Sequence, residues 1–277
     1  MAAPQRSSLP PFSPTTEFKF SKSPNSGWQY GQRIETTPDG QAWMEREEDG
    51  WTVIDTSKED AKKIYNIMSS GIIPRPIGFV SSISEDGYEN LAPFSWFNQA
   101  CLDPPIITVA CSNNSRPTKD TARNIKSTKG FTVNIISEPW IEQANMASID
   151  TPYGVSEWPL TGLTKAPSIH VKAARVKESA FVLECELYQD VEIKHPKTDG
   201  VVSTLILGLV KYIHMRNDII EPTKGTVDPG KLRAVGRLGG VTYSTVAGGF
   251  TIERPTWKDY GAQLGEDGTT RIDTSTS

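Results

Sequence analysis

The chain has 277 residues, of which 36% are hydrophobic and 22% are charged, and its 29 Lys and Arg residues against 33 Asp and Glu residues give a formal net charge of −4. This length fits one large domain with extensions, and two small domains would also fit. The acidic balance and the lack of a Lys/Arg block argue against a nucleic-acid-binding protein, because phosphate contacts need clustered cations.

Targeting and redox signals are weak. The N-terminus lacks the apolar segment of a secretory signal, and no apolar run approaches the ~20 residues of a membrane span. Cys101, Cys111 and Cys185 lie far apart without C-x-x-C spacing, which is typical of buried thiols in a reducing compartment. We therefore expect a cytoplasmic protein whose cysteines form neither disulfides nor a redox pair.

The chain divides into three regions by composition. Residues 1–56 are rich in proline and poor in aliphatic side chains, yet they hold several aromatic residues. Disordered segments seldom hold so many aromatics, so we expect an arm that packs onto the main body or onto a partner subunit. Residues 57–260 have a dense aliphatic character and are predicted to form the folded domain. Residues 261–277 are predicted to be a disordered tail.

The folded region begins with a helix signal and continues with strands. Ser57 is a candidate N-cap, and an apolar stripe of helical spacing runs on until Gly71. The period then changes to two: residues 77–83 and 88–92 flank an Asp-Gly dipeptide, which predicts a β-hairpin. Further strands are predicted at 95–101, 106–111, 131–136, 169–176, 180–193 and 203–214, and short helices at 118–127 and 138–148.

This order of elements predicts the fold class. Many strands with few helices, and no regular alternation of strand and helix, indicate a mainly β protein built as an antiparallel barrel with helical insertions. A parallel doubly wound sheet would need a helix between successive strands, and the sequence lacks them.

The usual catalytic patterns are missing from the sequence. His170, His195 and His214 are too widely spaced for a zinc site. There is no nucleophile elbow and no phosphate loop, and the glycine-rich piece 236–240 lacks dinucleotide-binding spacing. Either the protein takes its reactivity from a cofactor or it is not an enzyme.

Two segments are candidates for ligand binding. Residues 112–124 follow a buried strand and open a helix that Ser115 or Thr118 would cap, and Arg116, Lys119 and Thr121 would add donors for an anion. The alternative is an ordinary capped helix with a solvated basic end. Residues 90–98 form an apolar, aromatic strand that also carries Ser95 and Asn98, which would suit a flat ring; the alternative is a core strand with two satisfied polar side chains.

Taken together, the motifs resemble those of a known family. They occur in the order Arg75-Pro-Ile-Gly, Asn90-Leu-Ala-Pro-Phe-Ser-Trp-Phe-Asn98, Asp103-Pro-Pro-Ile, Lys119-Asp-Thr-Ala-Arg-Asn124, Phe131-Thr-Val-Asn134 and Gly236-Arg-Leu-Gly-Gly-x-x-Tyr243. The series resembles the flavin reductase-like, FMN-binding split-barrel family of the flavoredoxin type, over residues 70–247. The resemblance implies a Greek-key split β-barrel that forms a homodimer and holds FMN non-covalently near the subunit interface.

The resemblance also implies site residues. Ser95, the candidate catalytic residue, would contact N5 or O4 of the flavin, and Asn98 would reach the ribityl chain or the ring edge. Arg237 and Tyr243 would approach the flavin or its dimer mate. The segment along the isoalloxazine would comprise Pro93, Phe94, Ser95, Trp96, Phe97 and Asn98, and the phosphate would be held by Ser112, Arg116, Lys119 and Thr121.

Three functions follow from this resemblance. The first is an FMN-dependent oxidoreductase in which NAD(P)H reduces the flavin, which then passes electrons to oxygen, a small acceptor or a partner oxygenase. The second is a dedicated flavoenzyme for one small organic substrate, with the N-terminal arm as a lid. The third is a non-enzymatic flavin-binding or electron-carrier protein.

Overall fold

A computed structural model describes residues 9–113 and 118–260. The described chain divides into two compact units, which we treat separately. The larger unit comprises residues 9–18 and 65–247, and the smaller comprises 19–64 and 248–260. Every candidate site residue that is described belongs to the larger unit. Arg116 and the predicted tail 261–277 lie outside the described residues.

Strands outnumber helices along the described chain. The strands are β1 Lys19–Ser21, β2 Gly78–Ile83, β3 Glu89–Phe94, β4 Phe97–Cys101, β5 Ile106–Ser112, β6 Gly130–Ile135, β7 Lys165–Ala166, β8 Arg175–Val176, β9 Phe181–Lys194, β10 Val201–Met215, β11 Ile220–Glu221, β12 Thr226–Val227, β13 Val235–Arg237, β14 Tyr243–Thr245 and β15 Gly248–Phe250. The helices are α1 Pro38–Glu45, α2 Ala61–Gly71, α3 Asp120–Thr128, α4 Ile141–Met146, α5 Trp158–Thr161, α6 Pro229–Leu232 and α7 Trp257–Tyr260, with short 3₁₀ turns at Ile34–Thr36, Arg46–Asp49 and Glu138–Trp140.

The larger unit is organised around one seven-stranded sheet in the order β3-β2-β6-β9-β10-β5-β4, in which all neighbours are antiparallel. Its two edge strands, β3 and β4, are consecutive in the chain and are joined only by Ser95 and Trp96. A link of two residues spans only a few ångströms per residue. The sheet must therefore curl round until its edges come together, and the predicted mainly β, barrel-like fold is confirmed.

The β2–β3 hairpin forms where the sequence predicts it. Ser84 and Tyr88 close the turn through a 2.9 Å backbone hydrogen bond, and Gly87 adopts a φ of 85° that favours glycine. Successive residues of β2 then point to opposite faces. Val80 enters a core cluster with Phe131 and Val133, whereas Phe79 packs on the other face, with ring centroids 5.7 Å from Trp140.

The predicted strand at 169–176 is mostly wrong, since only β8 forms there. The N–H groups of Ile169, His170 and Val171 donate to the fully buried carboxylate of Glu184 at 2.7–3.1 Å and not to a neighbouring strand. Glu184 also lies 2.5 Å from Nε2 of His214. Hydrogen bonds to a buried carboxylate thus take the place of hydrogen bonds to a neighbouring strand. The local periodicity of the sequence cannot indicate such a contact.

Helix boundaries also differ in places. In the smaller unit, the N-terminal N–H groups of α2 donate to Asp60 at 3.0 and 3.1 Å, so Asp60 caps this helix and Ser57 does not. Helix α1 was not predicted, although Thr37 caps it through a 3.1 Å hydrogen bond from Gly40 and a proline follows the cap. The smaller unit also contains β1, which pairs in parallel with β15. None of the helices in the described ranges is long and apolar enough to span a bilayer.

Candidate functional site

The segment between β3 and β4 joins the two edge strands of the curled sheet. Pro93 and Phe94 end β3, and the carbonyl of Trp96 accepts a 2.9 Å hydrogen bond from Ala110 of β5. Ser95 is half-buried, whereas Trp96 keeps 46% of its surface exposed and lies 6.4 Å from the ring of Tyr65. The short connection thus carries a hydroxyl and an indole on consecutive residues, where the two edges of the sheet meet.

Arg75 holds Ser95 in place from the side of β13. Its Nε donates to Oγ of Ser95 at 3.3 Å, and its other nitrogens donate to the carbonyls of Ser69, Ile72 and Leu238. Burial, with a contribution from the positive charge of Arg237, lowers the pKa of Arg75, but a guanidinium stays protonated in proteins. Because a guanidinium can only donate, Ser95 must accept here, and its own proton remains available for another acceptor.

The start of α3 faces the end of β3 across a small cavity. Pro93, Phe94, Lys119 and Thr121 all line this cavity, whose volume is about 130 Å³. Oγ1 of Thr121 accepts a 2.8 Å hydrogen bond from Asn90, so its hydroxyl proton is free to donate elsewhere. The structure therefore brings together residues from both candidate segments, which lie about 25 positions apart in the sequence.

The N-terminus of α3 is built differently from the prediction. The helix begins at Asp120, and its N-cap is Lys119, whose side chain makes no capping hydrogen bond, so Thr118 does not serve as the N-cap. The backbone N–H of Lys119 donates instead to Asn113 at 3.2 Å, and Ser115 lies outside the described residues. The first-turn N–H groups of any helix lack intrahelical partners and favour an anion.

The charge around this cavity is mixed. Nζ of Lys119 lies 3.7 Å from Asp150, and the buried Glu157 accepts hydrogen bonds from Leu91 N–H at 2.9 Å and from the Thr151 hydroxyl at 2.6 Å. The lining includes Asp120 as well. Three carboxylates against one ammonium make the described part of the cavity less favourable to an anion than the sequence alone predicts.

The other candidate residues lie elsewhere in the larger unit. Phe97 is 9% exposed and packs in the core, and with Asn98 it lines a separate apolar cavity of about 290 Å³. Ser112 ends β5 opposite Ser203 of β10. The guanidinium of Arg237 stacks over the ring of Tyr243 at 4.4 Å, and neither residue lines the cavity at α3.

Sequence reasoning missed three residues that build the site. Arg75 was noted only as part of a motif, Asn90 sits at a buried strand position where a polar side chain is itself a signal, and Glu157 carries no local signal at all. The three histidines each have a hydrogen-bond partner. Cys111 and Cys185 are buried as expected, but Cys101 is only partly buried. Among the described residues, no three His, Cys, Asp or Glu side chains are grouped to hold a metal ion.

Comparison with known families identifies the class of protein. The family described as the flavin reductase like domain matches residues 68–231. The chain therefore belongs to the flavin reductase-like family, a family of flavin-related oxidoreductases, as the sequence motifs predicted. An uncharacterized protein of Aquifex aeolicus is 38% identical over 185 residues, which cover 66% of this chain and 90% of that protein.

Solved structures agree with this assignment. Nitrilotriacetate monooxygenase component B of Bacillus cereus is 29% identical, with a TM-score of 0.70 over 73% of this chain and 99% of that one. The 2-nitrobenzoate 2-nitroreductase NbaA of Pseudomonas fluorescens is 27% identical, with a TM-score of 0.66 over 74% and 98%. A putative flavin reductase with a split barrel domain from Shewanella frigidimarina, 20% identical, has a TM-score of 0.63 over 75% and 99% and shows the same fold. The predicted split barrel is confirmed.

Proposed function

We propose that the protein is an FMN-dependent oxidoreductase that takes hydride from NADH or NADPH and delivers electrons to an external acceptor. The observation that carries this proposal is the cavity shared by residues 93–94 and 119–121, with Ser95 directly following Phe94 of its lining. Its small volume suits a phosphate group, and the longer surface along 94–96 would accept a flat ring. Bound FMN would supply the hydride-accepting ring, and the protein would bind the phosphate and position the ring.

Lys119 and Thr121 fit such a group, although three carboxylates also line the described part of the cavity. Lys119 would donate charge-assisted hydrogen bonds to the phosphate, and Thr121 has a hydroxyl proton to give because Asn90 already uses it as an acceptor. Since Lys119 lies 3.7 Å from Asp150, phosphate binding would compete with that ion pair. Ser112 and Arg116 belong to the same proposed phosphate set, on the family resemblance alone.

Ser95 and Arg75 would act at the ring. Since Arg75 Nε donates to Ser95 Oγ, the serine hydroxyl proton would be left to donate to N5 or O4. The positive charges of Arg75 and Arg237 would stabilise negative charge that develops on the ring upon reduction. Pro93, Phe94 and Trp96 would form the apolar surface along it. Because the side chain of Phe97 packs inward, its backbone would make the contact with the ring. Asn98, Arg237 and Tyr243 are proposed for the flavin site on the family resemblance alone.

The proposal includes a homodimer. Met68, Ile72, Ile73 and Trp96 each keep between 46% and 57% of their surface exposed in the larger unit. Exposed apolar groups that lie close together are typical of interaction sites, and Trp96 itself belongs to the segment that would carry the ring. A partner oxygenase as electron acceptor is supported by the likeness to a protein named monooxygenase component B. The cytoplasmic location stays a prediction.

A titration with reduced nicotinamide tests the proposed function. The purified protein is loaded with FMN, freed of oxygen and mixed with NADH or with NADPH while the flavin absorbance is followed. We expect the flavin bands to bleach with one of the two reductants faster than free FMN does under the same conditions. Bands that persist with both reductants would contradict the proposal and favour an electron carrier.

A dedicated flavoenzyme is the second candidate, and the likeness to a 2-nitrobenzoate 2-nitroreductase favours it. The two candidates differ in whether the flavin leaves during turnover. Gel filtration after aerobic turnover with excess free FMN separates them: full retention of the original, isotopically labelled FMN supports the dedicated enzyme. Exchange of the label with free FMN supports a reductase of diffusible flavin.

A further inference from the structure

A second and larger pocket lies apart from the cavity at α3. It has a volume of about 770 Å³ and shares no lining residue with that cavity. Its walls come from three parts of the larger unit: the N-terminal segment with Phe12 and Pro14, the region of α4, and the strands β13 and β14. A space of this size is typical of a site for a small organic molecule.

One wall of the pocket lies outside the part of the chain that resembles the family. Phe12 and Pro14 precede residues 68–231, where the family match falls. The N-terminal wall is held in place because the N–H of Thr15, itself buried, donates to Oε2 of Glu138 at 3.0 Å. The N-terminal segment thus forms one wall of the pocket.

The walls are preorganised and largely apolar. The Tyr243 hydroxyl donates to Asn145 of α4 at 2.8 Å, and the guanidinium of Arg237 covers one face of the ring at 4.4 Å. Ile141 and Val235 add aliphatic surface. An aromatic wall that is held at its hydroxyl and on one ring face suits a flat ring, because little side-chain entropy is lost when the ligand binds.

The charges of the pocket favour a donor-bearing ligand. Its ionisable side chains include Glu138, Glu142 and Arg233, two negative charges against one positive. Oε2 of Glu138 accepts from Thr15 and from Arg233 at 2.8 Å, whereas the buried Oε1 has no hydrogen-bond partner among the described residues. Burial acts to raise the pKa of Glu138, but these donors outweigh it and hold the pKa below its usual range.

We propose that this pocket binds a small aromatic molecule that carries a cationic or N–H-donating group, at a site separate from the proposed phosphate cavity at α3. The apolar walls and Tyr243 would take the ring, so this inference replaces the flavin contact that the family resemblance implies for Tyr243. The excess of carboxylates in the lining would attract the donor and repel an anion. This inference does not depend on the proposed hydride transfer, because it concerns a pocket that none of the proposed phosphate residues line.

The test compares benzamidine with benzoate, two probes of similar shape and opposite charge. Calorimetric titration of the full chain, in the flavin-bound form if it purifies with flavin, gives the affinity for each. We expect benzamidine to bind at least about tenfold tighter than benzoate, as charge-assisted hydrogen bonds require. Equal binding of the two probes, or no binding of benzamidine, would overturn the proposal.

Substitutions locate the binding. Val241 is 77% exposed at the rim, so Val241→Trp should fold and should weaken benzamidine binding at least about tenfold by filling the pocket. Val155→Trp, at another exposed position outside the lining, is the matched control. Glu142→Gln should weaken the binding of benzamidine and should leave the weaker binding of benzoate unchanged. Glu85→Gln is its control. Unchanged affinity in both Val241→Trp and Glu142→Gln, or displacement of bound flavin by benzamidine, would refute a separate site.

Discussion

Arg75 and Ser95 are joined by a hydrogen bond whose direction is set by chemistry: Nε of the guanidinium donates and Oγ of the serine accepts, at 3.3 Å. The two residues lie on different elements, one before β2 and the other at the link between β3 and β4. Arg75 is itself fixed to the strand that follows α6 through backbone hydrogen bonds with Arg237 at 3.0 and 2.9 Å. The serine therefore accepts from a donor that is itself held in place, and its own proton is left for another acceptor.

Replacement of Ser95 tests its role at the ring. Ser95→Ala should leave the FMN affinity nearly unchanged and lower the two-electron reduction potential by about 20 mV, if a hydrogen bond worth about 1 kcal/mol is lost from the reduced form. Spectroelectrochemistry measures the potential. Ser95→Thr should restore it because the hydroxyl returns, and Ser127→Ala, on the exposed side of α3, is the control. An unaltered reduction potential in Ser95→Ala would show that Ser95 makes no hydrogen bond to the flavin ring.

Replacement of Arg75 tests its structural role. Arg75→Lys cannot reach Ser95 and the carbonyls of Ser69, Ile72 and Leu238 at once, and each buried carbonyl left without a donor costs about 1–3 kcal/mol. We expect the free energy of unfolding in denaturant titrations to fall by that amount or more. Arg216→Lys, which perturbs only a surface pair with Asp218, should change it by less than about 1 kcal/mol. Equal stability of both variants would contradict the network.

The cysteines should differ in reactivity with a thiol reagent at pH 8. Burial raises the pKa of Cys111 to about 12 and also raises that of Cys185, so neither thiol forms the reactive thiolate in the folded protein. Cys101 is partly exposed. Mass spectrometry should show fast labelling at Cys101 alone and labelling at all three sites after unfolding. Fast labelling of Cys111 in the native protein would show that the core is less closed than described.

The stability conferred by Glu184 should depend on pH. Burial acts to raise its pKa, but hydrogen bonds from three backbone N–H groups and from His214 outweigh this and lower the pKa below its ordinary value of 4.5. The carboxylate therefore stabilises the fold fully above about pH 4.5, and this contribution is lost as the pH falls through the lower, folded-state pKa.

Glu184→Gln measures that contribution. At pH 7 the variant should lose about 1.5–3 kcal/mol of unfolding free energy, as expected for hydrogen bonds to a charged group, and the deficit should shrink as the pH drops below 4.5. Glu186→Gln, two residues along β9 and paired only at the surface with His170 and Lys211, should show little deficit at any pH. A deficit of the same size at pH 7 and at pH 3 would contradict the account.

Local pattern in the sequence predicted the local elements well. The β2–β3 hairpin, the strands of the main sheet and the helix after residue 118 follow from alternation, the Asp-Gly turn and helical spacing. The wrong predictions concern segments whose hydrogen bonds are made with residues far away in the sequence. The segment 169–174 has strand-like residues, yet its N–H groups are satisfied by Glu184, and this contact depends on how the chain is folded far beyond any local window.

The candidate site shows the same limit. Lys119 and Thr121 were identified because cations and hydroxyls at a helix start are a local signal. Glu157 and Asp150 were missed because they reach the cavity from the segment after α4, and Glu157 contacts Leu91 across 66 positions in sequence. Arg75 reaches Leu238 across 163 positions. Charged residues that are remote in sequence decide how well an anion fits in the cavity. A single sequence does not show which of them the fold brings there.

The central claim is that the phosphate of FMN lies at the start of α3, and a comparison of FMN with riboflavin tests it most directly. Lys119→Ala should weaken FMN binding by roughly 1.5–3 kcal/mol, the worth of a hydrogen bond to a charged group, or about 10- to 150-fold in Kd. Riboflavin, which lacks the phosphate, should bind the variant and the wild type equally.

Lys126→Ala is the matched control, because Lys126 lies on the same helix and pairs with Glu192 and Asp190 at the surface. It should leave both affinities unchanged in fluorescence titrations. A selective loss for FMN in Lys119→Ala alone is the result predicted. Equal loss for FMN and riboflavin, or no loss for either, would contradict the placement of the phosphate at α3.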